Sequence, residues 1–563
     1  MTNQPRPVQP LFMARLAGTQ AEMGAQHGAL VADDAHRLVE FYRTMPERTL
    51  AGDMRGPLGV VGRAAVRGIA KAWQARLYRD RPAELVERSR AFMRAVGAAD
   101  DALFTMATMD SMQNTVSLAA RAKVGPFGNP LAPRAAAAAI PACSSIIAWG
   151  DATEDGELLF SRNFDFPGIG VWDAAPAFIV CAPIGGQHYG FFTTRGADTP
   201  VVTVINEAGL VLAPHTRWHT GVTFSGAMIV DLVHDIARRA ESLDDVVRIA
   251  RERPVSSSWG IAVGSAREKK ALVLEIAGPT VEVVRPASGA SYLVCANHYR
   301  SASLQAGQVA ASSAWTLHTE RRERRLRQLV DTRSAPLTAE MLARFMGDRQ
   351  DVDAPGIKRH LGGIPAQPTN VHCAVLSPSK QRALVGTDRA PTCEGTWAEV
   401  TWTWDGPSGE ATTADSGLTA TPRTDLVEPH DEATRHVHDA ARAYEGSHDV
   451  PTARAAIERA VRAAPEDPSL RLTAAWLAIE DDAPDRAVVH VEAGLANETC
   501  SYRRGQLLLW GSRAARTTDP ARAIRWVDEL SRLSGPHVEE LKVAARKRYR
   551  GKPHVNFMMA DAY

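Results

Sequence analysis

The pattern of apolar and polar positions divides the chain into three textures. Residues 15–122 read as helical: Thr19 to Tyr42 mixes polar and apolar positions without proline, and Pro82 opens a further run from Ala83 to Val96. Between them, residues 55–79 carry an apolar side with Arg63, Arg67, Lys71 and Arg76 at helical spacing. A solvated basic helix face is the simplest account of that stretch; contact with a membrane surface or an acyl chain is the alternative.

Lys123 to Ala142 is rich in proline and alanine and reads as an exposed loop. At Cys143 the texture changes to short β-rich runs: CSSIIAWG, ELLFSRNFDF, AFIVCAP, HYGFFTT and VVTVINEAGLVLAP. An amphipathic helix over Ala227 to Arg251 follows, then four more strand-like runs ending at SYLVCANHY. Helices are expected near 317–331 and 337–348, and the strands VHCAVLSP, RALVGTD and WAEVTWTW close the pattern near Trp404. Strands, then helices, then strands predict antiparallel sheet covered by helices, an α+β fold.

Residues 406–430, rich in Gly, Thr, Ser, Asp and Pro, read as a linker, and 431–563 as a separate helical domain. There Arg454-Ala455, Arg486-Ala487 and Arg522-Ala523 recur at spacings that bracket the 34-residue tetratricopeptide (TPR) period, without meeting its W-x₂-L-G-x₂-Y consensus. A generic helical bundle is the other reading. In either case the region suits contact with a protein partner better than chemistry.

Composition narrows the function. The 563 residues hold 65 basic and 64 acidic side chains, a net charge of +1, which gives no electrostatic footprint for nucleic acid. Six scattered cysteines form no C-x-x-C pair, and H-E-x-x-H is absent, so no metal, disulfide framework or cofactor is expected. The N-terminus shows no secretory h-region and no stretch reaches a membrane-spanning length, so a soluble cytoplasmic protein is expected.

Cys143 carries the chemical interest. It begins a strand directly after the Pro/Ala-rich loop, and nineteen residues on a second strand carries Arg162-Asn163-Phe164-Asp165. Strand–turn–strand geometry can return Arg162 and Asp165 to the start of the first strand, where a guanidinium favours a thiolate. A carboxylate there can accept from an α-amino group, which matters if Cys143 becomes a chain terminus. Cys181, Cys295 and Cys373 lie in apolar runs and read as inert core residues. His215 and His298 read as strand-end histidines, with a metal or proton-relay role as the alternative, and Glu207 as a capping group, with a catalytic carboxylate as the alternative.

The run Cys143-Ser144-Ser145 … Gly156 … Arg162-Asn163-Phe164-Asp165 resembles the N-terminal-nucleophile (Ntn) cysteine hydrolases, which include the choloylglycine hydrolase, acid ceramidase and isopenicillin-N acyltransferase groups. Gly18 with Glu22-Met23-Gly24-Ala25-Gln26-His27-Gly28, Asn206-Glu207-Ala208-Gly209-Leu210 and Cys295-Ala296-Asn297-His298-Tyr299 look like motifs of the acyltransferase group. The resemblance spans about 15–405 and departs at Ala142, where glycine is common.

The resemblance implies an αββα four-layer sandwich. Residues 1–142 would form a helical segment over a core of 143–405, with a TPR-like domain behind the linker. It implies cleavage between Ala142 and Cys143, the freed α-amino group as general base, and the Cys143 thiol as nucleophile forming a thioester. Arg162 would polarise the thiol, Asp165 would hold the new terminus, and Asn297 would donate to the oxyanion. A further arginine would brace the nucleophile or a substrate carboxylate; Arg321 and Arg322 both fit its register, with Arg322 slightly ahead. The implied activity is transfer or hydrolysis of an acyl group from a small amide or thioester. The competing function is a docking protein acting through its helical tail, with an inactive core.

Overall fold

The computed structural model describes residues 10–51, 56–98, 108–121, 142–310, 313–547, 551–557 and 560–562. The chain divides into two compact units. An α/β core comprises Met1–Ala311, Leu329–Gly347 and Asn370–Val427, and a helical unit comprises Ser312–Gln328, Asp348–Thr369 and Glu428–Tyr563.

The core holds two sheets. Its strands are β1 (Phe12–Gly18), β2 (Ala142–Ala148), β3 (Leu159–Asp165), β4 (Pro176–Pro183), β5 (Tyr189–Thr194), β6 (Thr203–Asn206), β7 (Leu210–Thr216) and β8 (Ser258–Ser265). They continue with β9 (Lys270–Ala277), β10 (Thr280–Val284), β11 (Tyr292–Cys295), β12 (Asn370–Ser377), β13 (Arg382–Gly386), β14 (Trp397–Trp402), β15 (Gly409–Glu410) and β16 (Leu418–Arg423). One sheet has nine strands in the order β10-β9-β8-β7-β6-β5-β4-β1-β15, the other seven in the order β11-β2-β3-β12-β13-β14-β16. Ile147, Phe160 and Val385 from the second sheet share one apolar cluster with Phe178, Phe192 and Val211 from the first, so the sheets lie face to face. The outer face of the nine-stranded sheet packs on helices α1 (Gln20–Ala51), α3 (Ala83–Val96), Ile229–Arg239 and Leu243–Glu252. The helix Ala339–Met346 covers β3, β12 and β13 of the other sheet, completing the four layers.

The structure departs from the expectation in four places. Residues 12–18 are a strand, not part of a helical run; β1 pairs in parallel with β4, and the buried Arg15 donates through Nη1 to Ser416 O and Nη2 to Thr403 O, 2.7 Å each. The helix expected over 227–251 is two helices, because the Ser242 side chain accepts from the Asp245 amide and starts a new one. The segment 406–430 contains β16, which pairs with β14 along six residues; its Thr and Pro content is that of an edge strand. The helical unit also does not begin at 431. It takes in 348–369, whose Arg359 pairs with Asp351 and Glu498, and whose His360 is held by Asp467.

The motif at 18–28 has a structural explanation. Thr19 N donates to Glu22 Oε2 and Glu22 N to Thr19 Oγ1, a reciprocal helix start. Gln26 clamps both backbone groups of Ala17. A Cβ on Gly24 would lie 2.3 Å from Arg88 O, so glycine lets α1 approach α3. His27 contacts the buried Asp198 at 2.9 Å, and Asp198 also accepts from Arg88. Burial pushes the Asp198 carboxyl up, but the Arg88 guanidinium outweighs it and holds the group below its ordinary value.

In the helical unit, Asp431, Asp449, Asp467 and Asp519 cap helix starts, and proline occupies a first-turn position after several of them. The three Arg-Ala pairs fall near the starts of alternate helices, Val450–Ala463, Pro484–Asn497 and Pro520–Arg532. Among the described residues, no helix is long and apolar enough to cross a membrane.

Candidate active site

The β2–β3 register builds the site. Alternation points Cys143, Ser145 and Ile147 toward the facing sheet, and Ser144 and Ile146 away from it. Cys143 lies opposite Phe164 and Ser145 opposite Arg162, so the long Arg162 side chain reaches Cys143 on the diagonal. Its Nη2 lies 3.2 Å from Cys143 Sγ. Both residues are buried. Among the described residues, Arg162 Nε and Nη1 make no hydrogen bond. Burial lowers the Arg162 pKa, against the opposing pull of Cys143 and Asp165.

Asn297 reaches the same point from the loop after β11. Its Oδ1 accepts from Cys143 N at 2.9 Å and its Nδ2 donates to Thr216 O at 2.9 Å. In the intact chain its amide therefore orients the Cys143 nitrogen, whereas the resemblance implied a donor to the oxyanion. Ala142 pairs with Asp165 at the end of the ladder, and Asp165 Oδ1 accepts from Asn370 Nδ2 at 3.0 Å. The bond between Ala142 and Cys143 thus lies within the first step of a strand, so Ala142 does not belong to the loop expected over 123–142; the rest of that loop lies outside the described residues.

Arg321 and Arg322 lie on the helix Ser313–Asp331, in the part that belongs to the helical unit. Arg321 pairs with Asp351 and Asp353, and Arg322 is fully buried. The Arg321 charge is therefore met within its own unit.

Three neighbours were not singled out as site residues from sequence. His215 Nε2 lies 3.0 Å from Ser145 Oγ, which brings the imidazole against the strand that carries Cys143. His372 pairs with Phe164 across β12–β3, and burial, then the Arg162 charge, holds it neutral with a pKa of about 3. Asn370 supports Asp165 and also accepts from the Cys393 amide at 2.9 Å. Glu207 is exposed, and Asn206 holds its turn instead, accepting from Leu210 N and donating to Ala237 O and Ala240 O. Burial raises the thiol pKa values of Cys181 and Cys373, as inert core cysteines require.

A cavity lies against this cluster. Arg162 and Thr216 contribute to its wall, together with Leu38, Tyr42, Trp172 and Trp259 among other apolar residues. Asp110 also faces it, with the Ser257 hydroxyl, Trp259 Nε1 and Ile229 N donating to its carboxyl. Burial pushes its pKa up to about 6. A thiol beside a guanidinium, at a strand end next to an apolar cavity, is an arrangement that acyl transfer could use.

Residues 152–389 match the family model of acyl-coenzyme A:6-aminopenicillanic acid acyl-transferase. The match covers less than half of the chain; together with the double-sheet fold, it makes the core similar to the acyltransferase-type enzymes of the N-terminal-nucleophile superfamily. Among solved structures, the Caenorhabditis elegans N-acylethanolamine-hydrolyzing acid amidase ortholog aligns with 14% identity over 42% of this chain and 93% of that one, at a TM-score of 0.31. No curated protein sequence matches the chain.

Proposed function

We propose that the chain cleaves itself between Ala142 and Cys143, and that the freed Cys143 then works as the nucleophile of an amide hydrolase or acyltransferase. The observation that carries this reading is the double hold on one residue: Arg162 Nη2 at 3.2 Å from the thiol and Asn297 Oδ1 at 2.9 Å from its backbone nitrogen.

In processing, Sγ attacks the Ala142 carbonyl carbon and displaces the Cys143 nitrogen, giving a thioester. Water then hydrolyses the thioester and frees both the Ala142 carboxylate and the Cys143 α-amino group. That amine titrates near ~7.7–8.0, so it accepts the thiol proton at neutral pH as substrate binds. The thiolate attacks the substrate carbonyl, the leaving amine takes the proton back, and water or a second amine releases the acyl group. Asn297 keeps the α-nitrogen oriented throughout, and Arg162 stabilises the thiolate. Asp165 sits beside the new terminus. A role for Arg321 at the nucleophile has less support, since it is already paired with two aspartates, which leaves Arg322 as the stronger choice for the bracing arginine.

The apolar wall formed by Leu38, Tyr42, Trp172 and Trp259 favours a compact apolar acyl group over an extended polypeptide. Denaturing mass measurement of the purified protein should give two pieces, residues 1–142 and 143–563. A panel of N-acyl amino acids, penicillins and acyl-CoA donors should show turnover by the processed enzyme and none by Cys143→Ala. An intact chain that turns over amides would sink the processing step. Cys143-dependent cleavage of casein but of no small amide would sink the substrate class.

A further inference from the structure

The helical unit brings together three metal-ligating side chains that are far apart in sequence. His448 caps the C-terminus of the helix Glu432–Ser447 in a left-handed conformation, φ 53°. Glu480 is the last residue of the helix Pro468–Glu480. His554 stands at the start of the C-terminal strand Val555–Asn556. One ligand atom from each lies within 4.8 Å of the other two. We propose that His448, Glu480 and His554 bind one divalent transition-metal ion of the zinc type, which ties the C-terminal segment to the helical unit.

Four observations converge on this site. The first is spacing. Tetrahedral zinc with bonds of about 2.0–2.1 Å sets its ligand atoms roughly 3.3–3.5 Å apart, and His448 Nε2 already lies 3.1 Å from Glu480 Oε1. A small inward movement of the exposed His448 side or of the tail closes the remaining distance.

The second is donor type. Two imidazoles and a carboxylate suit zinc, cobalt, nickel or copper better than magnesium or calcium, and they leave a fourth position for water.

The third is the surrounding hydrogen bonding. Tyr444 Oη donates to the second Glu480 oxygen at 2.8 Å, accepts from Val555 N at 2.9 Å and meets His554 Nδ1 at 3.2 Å. With its proton given to Glu480, the tyrosine oxygen must accept from Nδ1–H, and that tautomer puts the His554 lone pair on Nε2. This is how metal-binding histidines are set in proteins: the second ring nitrogen donates to a fixed acceptor.

The fourth is electrostatic. Two helices end at the site, and the negative ends of their dipoles favour a cation. The nearby Lys552 ammonium is paired with Asp482 at 2.5 Å.

The test uses the full-length protein, stripped with a chelator, dialysed, and titrated with Zn²⁺ by calorimetry and with Co²⁺ by visible absorption. One equivalent per chain should bind, the Co²⁺ form should show four-coordinate absorption bands, and Zn²⁺ should raise the unfolding temperature. His448→Asn keeps a residue that tolerates the left-handed backbone, and His448 is largely exposed, so this variant folds. It should lose at least tenfold in affinity and all of the thermal shift. Tyr444→Phe should cost about 10–100-fold. His554→Asn should behave like His448→Asn. Failure to bind either ion, or binding that is unchanged in both histidine variants, overturns the proposal; the second result assigns the metal to thiols elsewhere in the chain.

Discussion

Each unit of the molecule buries an arginine, and the two are treated in opposite ways. In the helical unit, Arg359 meets Asp351 and Glu498, with two of its bonds going to the Glu498 carboxylate at 2.6 and 2.8 Å. Burial works against its charge, yet Glu498 and Asp351 hold its pKa well above the ordinary value. In the core, Arg162 is just as buried, but its one hydrogen bond among the described residues goes to the Cys143 thiol, and burial prevails and lowers its pKa. A saturated buried cation is a fastening: removing it leaves carboxylates uncompensated. An unsaturated one holds a charge ready beside a group that can become an anion, which is an arrangement a fold keeps for chemistry.

Removing the anionic partner breaks the comparison most completely. Cys143→Ala should remain one chain of 60.8 kDa under denaturing conditions and lose acyl turnover by about 10⁴-fold or more. Its fold should persist, because alanine fits the buried strand position. A two-chain Cys143→Ala protein would mean that another group cuts the chain.

The two arginines can then be exchanged as tests of one another. Arg359→Gln should destabilise the helical unit by about 3–5 kcal/mol, because Glu498 and Asp351 stay buried with no cation. Its effect on turnover by the folded protein should be small. Arg162→Gln should do the reverse. Turnover should fall about 10²–10³-fold and alkylation of Cys143 by iodoacetamide should slow, while the urea midpoint moves little. If Arg162→Gln unfolds the core and leaves the alkylation rate of the folded protein unchanged, the contrast fails and Arg162 is a fastening as well.

This contrast also explains what could be read from sequence and what could not. Cys143 and Arg162 were accessible because a strand–turn–strand step brings them to one point, and Asn297 through the family resemblance of its segment. The nine- and seven-stranded sheets follow from β-rich runs broken by turns, which is a local signal. The role of Asn297 was not local: whether its amide faces a substrate or the Cys143 nitrogen depends on Thr216, eighty-one residues away, which accepts from the other end of the amide. The same holds for the motif at 18–28. Its Glu, Gln and His match a family motif in sequence, and the structure engages them with Thr19, Ala17 and Asp198. The unit boundary was hidden because Arg359 and His360 sit between core strands in sequence while Glu498, Asp431 and Asp467 lie past residue 430.

The smallest effect tests the comparison through pH. Asp110 in the core has its carboxyl raised by burial from 3.8 to about 6, despite donors from Ser257, Trp259 and Ile229. In the folded state it resists ionising, while in the unfolded chain it ionises freely. Its contribution to stability is therefore full below about pH 4 and is lost as pH rises through about 6, a change of about 3 kcal/mol at 1.36 kcal/mol per pKa unit. His360 in the helical unit is also raised: burial opposes its charge, but Asp431 and Asp467 prevail. Its contribution is likewise lost with rising pH, but only above 6.5. The two regions should thus lose stability in separate windows. Urea midpoints of the full chain at half-unit steps from pH 4.5 to 8 should show Asp110→Asn gaining on the wild type up to about pH 6.5 and then running parallel. His360→Asn should be at its greatest disadvantage below pH 6.5 and recover above it. A constant gap between Asp110→Asn and the wild type would show that the core pays no penalty for that carboxylate, and that its donors, not its burial, decide its charge.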